Sequence, residues 1–61
     1  MKLGSLVHVD QKIKEFVDYY GNQVGIVIEI LDDIEPQLIK IMWSEGEIES
    51  LYEDEVQVLS S

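Results

Sequence analysis

The chain has 61 residues, with 13 Asp and Glu against four Lys and no Arg, a formal net charge of −9 and 46% hydrophobic residues. That length allows one domain, the apolar share excludes a disordered acidic tail, and the charge argues against a protein that grips nucleic acid by neutralising phosphates. With no Cys there is no disulfide framework or Cys-ligated zinc. No apolar run approaches the 18 or so residues of a membrane span and none forms a signal-peptide core, so a small intracellular-type domain is expected.

Leu6-Val7-His8-Val9 reads as a first strand, with Val7 and Val9 on one face and Leu6 and His8 on the other. The period then changes. Ile13, Phe16, Val17 and Tyr20 fall at i, i+3, i+4 and i+7, so residues 11–20 predict a short helix or a long packed loop. Asp10 is the expected N-cap and Gly21 the expected C′ residue. Gln23 to Leu31 is β-branched and reads as the longest strand. Val24, Ile26, Ile28 and Ile30 would share one face, Val27 and Leu31 the other, with Gly25 suited to a bend or bulge.

Asp32-Asp33-Ile34-Glu35-Pro36 predicts a turn, because Pro36 lacks an amide donor. Gln37 to Ser44 is the next strand, Ile39, Ile41 and Trp43 alternating with Lys40 and Met42. Glu45-Gly46 reads as a two-residue hairpin loop. In that register Trp43 faces Ile48, Met42 faces Glu49 and Ile39 faces Tyr52. Ile39, Ile41, Trp43, Ile48 and Tyr52 then form a core face, with Glu47 and Glu49 opposite. Leu51 breaks this alternation, so a bulge is expected near it. Glu53-Asp54-Glu55 suits a single 3₁₀ turn, and Val56, Val58 and Leu59 a closing strand.

Five strands, a long first excursion and a turn before the last strand predict a mainly β fold, a small closed barrel without exposed edges. The segments Gly21-Asn22-Gln23-Val24-Gly25-Ile26-Val27, Trp43-Ser44-Glu45-Gly46 and Leu51-Tyr52-Glu53-Asp54-Glu55-Val56-Gln57-Val58-Leu59 resemble an SH3-like barrel of the Tudor/KOW type. They are also similar to short uncharacterised proteins of tailed bacteriophages that carry a W-S-[DE]-G-x-I-E-x-L-Y-x-D-E-[LV] segment. The resemblance implies a single SH3-like barrel over residues 1–61 and a phage-encoded protein in the host cytoplasm or the virion. The basic cluster with which KOW modules meet RNA is missing. Tyr19, Tyr20, Trp43 and Tyr52 are the only candidates for a Tudor aromatic cage.

Several side-chain sets bear on chemistry. The pairs within Glu47/Glu49 and Glu53/Asp54/Glu55 lie in polar segments, where no apolar pocket raises a carboxyl pKa for acid–base catalysis. Asp32-Asp33-Ile34-Glu35 lacks the length and glycine of a calcium loop. His8 has no second His or Cys to share a metal. No enzyme activity, cofactor or metal is therefore expected. Residues 29–55 hold ten acids against Lys40, the whole of the net charge. The reading is a non-enzymatic acidic module that binds a host or viral protein through Phe16, Tyr19, Tyr20, Glu45, Glu47, Glu49, Tyr52, Glu53 and Asp54. The alternatives are an acidic DNA mimic that inhibits a nucleic-acid enzyme, and a structural virion component or homo-oligomer.

Overall fold

A computed structural model describes residues 1–21 and 23–60; Asn22 and Ser61 lie outside the described residues. Strand β1 (Leu6–Val9) is followed by helix α1 (Lys14–Tyr20) and strands β2 (Gly25–Leu31), β3 (Leu38–Trp43) and β4 (Ile48–Tyr52). A 3₁₀ turn at Glu53–Glu55 leads into β5 (Val56–Ser60). The five strands form one antiparallel sheet in the order β4-β3-β2-β1-β5. Among the described residues no ladder joins β4 to β5, so the sheet keeps two edges. The single described α-helix is too short to cross a membrane.

The inner face follows from alternation. Val7 and Val9 of β1 and Ile39, Ile41 and Trp43 of β3 point inward and are fully buried, while Leu6 and Met42 point outward. Tyr20 of α1 closes over this face, with Phe16 and Val17 of the same helical stripe packed against the cluster. The helix therefore forms over the C-terminal part of the segment that predicts it. Asp10 does not cap it. The N-cap position is Ile13, with no side-chain bond, and Asp10 Oδ1 instead accepts from Lys12 N at 2.9 Å to shape the preceding turn. Gly21 stays helical (φ −51°, ψ −34°) and does not take the expected left-handed C′ conformation.

Two local features correct the expected faces. In β2, Val27 pairs with Ile41 and Glu29 with Lys40, leaving Ile28 unopposed as a bulge. The extra residue reverses the phase, so Ile26 points outward while Ile30, opposite Ile39, turns inward. The bulge is thus at Ile28, and Gly25 has another task. It lies directly opposite Trp43, and a Cβ there would overlap Ile41 Cγ2 and come within 2.9 Å of Trp43 Cε3. A strand backbone without a side chain is what lets the indole lie flat against the sheet.

The second correction is at the hairpin. Trp43 N donates to Glu47 O at 2.7 Å and Gly46 N to Trp43 O at 2.8 Å, with Gly46 at φ +98°. These bonds close a three-residue loop, Ser44-Glu45-Gly46, in which glycine supplies the positive φ. One more loop residue than expected shifts β4 by one position: Met42 pairs with Ile48, Ile41 with Glu49 and Ile39 with Leu51. A one-residue slip exchanges the two faces of a strand. Leu51 is therefore buried, in phase and without a bulge, while Ile48 and Tyr52 are exposed.

Gly25→Ala is expected to destabilise the protein by about 1–3 kcal/mol, the usual cost of overpacking a filled core. Urea unfolding followed by Trp43 fluorescence measures it. A Gly25→Ala variant as stable as the parent would contradict this packing of Trp43 on β2.

Candidate functional site

Two places on the described surface bring the expected site residues together with others. The first is an open groove of about 620 Å³. Ile13 enters it from the turn before α1, Ile34, Glu35 and Pro36 from the β2–β3 connection, and Tyr52, Asp54 and Glu55 from the end of β4 and the 3₁₀ turn. These three segments meet because the turn is tied down at both ends. Glu53 N donates to Gln37 O at 2.8 Å, and Asp10 N to Glu55 O at 2.9 Å. Inside the turn Glu55 Oε1 accepts from Tyr52 N at 2.8 Å, so one carboxylate of the groove holds the backbone that carries the other. The lining combines apolar side chains with the acids Glu35, Asp54 and Glu55 and contains no Lys. The exposed Lys12 and Lys14 flank Ile13 in the chain.

The second place is an aromatic edge. Tyr20 stacks on Trp43 with ring centroids 4.7 Å apart and planes 17° apart, and Tyr19 meets Tyr20 edge-on, also at 4.7 Å. The shifted register brings Glu47 and Glu49 to this edge. Tyr19 OH donates to Glu47 Oε1 at 3.4 Å and Tyr20 OH to Glu49 Oε2 at 3.3 Å. Both are long for O–H···O bonds and correspondingly loose. Burial and the nearby Glu49 carboxylate disfavour the phenolate, so the Tyr20 pKa is pushed up from 10.0 to about 12. Trp43 Nε1, by contrast, is buried with no hydrogen-bond partner among the described residues.

The residues expected from sequence thus separate. Tyr52, Asp54 and the neighbouring, half-buried Glu53 belong to the groove and its turn. Tyr19 is exposed, as expected for the helical position that points away from the stripe. Tyr20 is buried, and Phe16 is partly buried and packs against the core. Glu45 is exposed in the hairpin loop. Glu47 and Glu49 do not form the expected acidic face opposite Trp43; they lie on its own side and engage the two tyrosines. Ile13, Ile34, Glu35, Pro36 and Glu55 were not among the expected site residues. Their signal was the apolar Ile34 and Pro36 set within an acidic turn, where solubility alone would not place them. No group of three or more His, Asp or Glu among the described residues is arranged to hold a metal ion.

Comparison with protein-family models, with curated proteins and with solved structures found no match.

Because the unfolded chain releases tyrosine protons near pH 10 and native Tyr20 near 12, its contribution to stability is whole below pH 10 and is lost as pH rises from 10 to about 12. Ultraviolet absorbance titration should show one of the three tyrosines ionising late, and Glu49→Gln should bring that step part of the way back toward 10. The absence of any late step would contradict the Tyr20–Glu49 arrangement.

Proposed function

We propose that the chain is a non-enzymatic protein-interaction module whose groove receives a basic, extended segment of a host or viral partner. The observation that carries this is the composition of the groove, which is lined by apolar Ile13, Ile34, Pro36 and Tyr52 together with the acids Glu35, Asp54 and Glu55. An apolar lining gives affinity by burial, and charges of one sign select partners of the opposite sign and speed their encounter. A segment with alternating apolar and cationic side chains satisfies both, and extended conformations such as polyproline II present side chains in that way at low entropic cost.

The finer fold assignment belongs to the same proposal. The strand order β4-β3-β2-β1-β5, the excursion carrying α1 after β1 and the 3₁₀ turn before β5 support a small SH3-like barrel. The groove lies where the first excursion, the β2–β3 connection and that turn approach one another. The resemblance to short phage proteins supports a viral origin and action in the host cell. The isolation of His8, bonded only loosely to Gln11 at 3.4 Å, supports a binding role over a catalytic one.

A synthetic decapeptide rich in proline and bearing two arginines serves as the probe, with the same peptide carrying glutamates in place of arginine as control. Fluorescence anisotropy should show binding of the first only. Tyr52→Ala should weaken it about tenfold or more, as loss of an aromatic anchor does. Asp54→Asn should weaken it less, and 0.5 M salt should do so strongly through screening. Equal binding of the two peptides, or no change with Tyr52→Ala, would overturn the proposal.

A further inference from the structure

The outer face of the sheet carries a feature that the groove does not use. Leu6, Ile26, Met42 and Ile48 are direct cross-strand partners in sequence along the ladder, so they form one row across β1, β2, β3 and β4. All four are exposed, at 37%, 41%, 41% and 56%. Val24, also exposed, adds to the row, and a shallow depression of about 430 Å³ lies among Leu6, Val24, Ile26 and Met42. Single exposed hydrophobes need no explanation, but a contiguous row of this kind marks a surface meant to be covered.

The charges beside the row bear on what could cover it. The next pair along the ladder is Glu29 opposite Lys40, and these two form an ion pair at 3.5 Å. Among the described strand residues that point outward, Glu29 is the only acid and Lys40 the only Lys or Arg, with the imidazole of His8 on the same face. The outer face is therefore neutral in a chain whose net charge is −9. The hairpin register creates this neutrality, since it turns Glu47 and Glu49 away to the tyrosine edge. Two copies of a strongly acidic protein repel wherever carboxylates meet. This face is the surface on which they can touch without that cost.

We propose that a second copy of the chain covers the row, in a two-fold dimer packed through the outer sheet faces. Such an interface is isologous, so a row of apolar residues crossing the axis meets its own equivalent. A standard interface takes about 800 Å² from each partner, a fifth of the 4020 Å² surface of the chain. The broad face of a body measuring 29 × 20 × 19 Å is somewhat smaller than that in projection, so the interface takes the whole outer face of the sheet and stands at the small end of the range. The residual repulsion between the copies is long-ranged and screened by salt, so the dimer strengthens as salt is added. This is the reverse of the dependence expected for a basic segment in the groove. The row and the groove share no lining residue, although Tyr52 of the groove stands at the far end of the same face; the two proposals are tested by different substitutions and fail separately.

Sedimentation equilibrium over a range of protein concentrations at 0.05 and 0.5 M NaCl tests it. The mass is expected to rise from monomer to dimer with concentration, with the dissociation constant at least about tenfold lower at high salt, where the Debye length has shrunk to a few ångströms. Ile48→Glu, at the most exposed position of the row, should leave a folded monomer at both salts. Methyl chemical shifts of Leu6, Ile26, Met42 and Ile48 in the unaltered protein should move with concentration, which keeps the test independent of how the variant folds. A monomer at every concentration up to about 1 mM, corresponding to no more than about 4 kcal/mol of association, would overturn the dimer. So would a dimer that weakens with salt, or concentration-dependent shifts confined to residues off this face, as when another surface is the one that associates.

Discussion

The pairing of β3 with β4 is the constraint on which the rest of the molecule depends. A three-residue loop with Gly46 at positive φ closes the hairpin, and the register that follows decides the side of the sheet for every residue of β4. It buries Leu51 opposite Ile39 and exposes Ile48 and Tyr52. It also carries Glu47 and Glu49 to the tyrosines of α1. A two-residue loop would have done the opposite, setting Ile48 and Tyr52 against the core and a pair of carboxylates on the outer face. The physical cost of the adopted arrangement is small: one glycine in a conformation it takes freely. Its consequence is a sorting of charge, with acids on the turns and at the aromatic edge and a neutral outer sheet.

Trp43 is the second fixed point. Its ring is accommodated by the bare backbone of Gly25 on one strand and covered by the Tyr20 ring from α1. The short helix has no side-chain cap and only seven residues, too few to be stable by propensity alone. It is held by what Phe16, Val17 and Tyr20 bury. The same contacts place Tyr19 at the surface beside Glu47, so the aromatic edge is a by-product of core closure. At the other end of the sheet the 3₁₀ turn is tied to the β2–β3 connection and to the residue after β1. That tethering is why a groove forms there between three chain segments that are far apart in sequence.

Most of the elements were legible from hydrophobic period, because burial on one face imposes period two on strands and 3.6 on helices. Ile39, Ile41 and Trp43 are inside for that reason, and Glu53-Asp54-Glu55 is a turn because a run of three acids cannot enter a sheet. What escaped were the two places where a single residue changes phase. The bulge at Ile28 has no signature, since isoleucine suits either face, and the hairpin dipeptide Glu45-Gly46 is compatible with loops of two or three residues. Leu51 carried the information: an apolar residue out of step with the expected alternation was in step with the true one. The groove was less legible than the strands. Its lining depends on Ile13 and Ile34, which belong to segments without periodicity, and only the tertiary arrangement brings them to Tyr52.

The charge sorting, the acid-lined groove and the neutral outer face all rest on the β3–β4 register, and nuclear Overhauser contacts between α-protons read it directly. With Trp43 and Glu47 hydrogen-bonded across the hairpin, the close, non-hydrogen-bonded pairs are Met42–Ile48, Lys40–Ser50 and Leu38–Tyr52. Strong α-proton contacts are expected within those three pairs. Contacts joining Trp43 to Ile48 or Ile41 to Ser50 instead would show the two-residue loop, return Glu47 and Glu49 to the outer face, and contradict the structure described above.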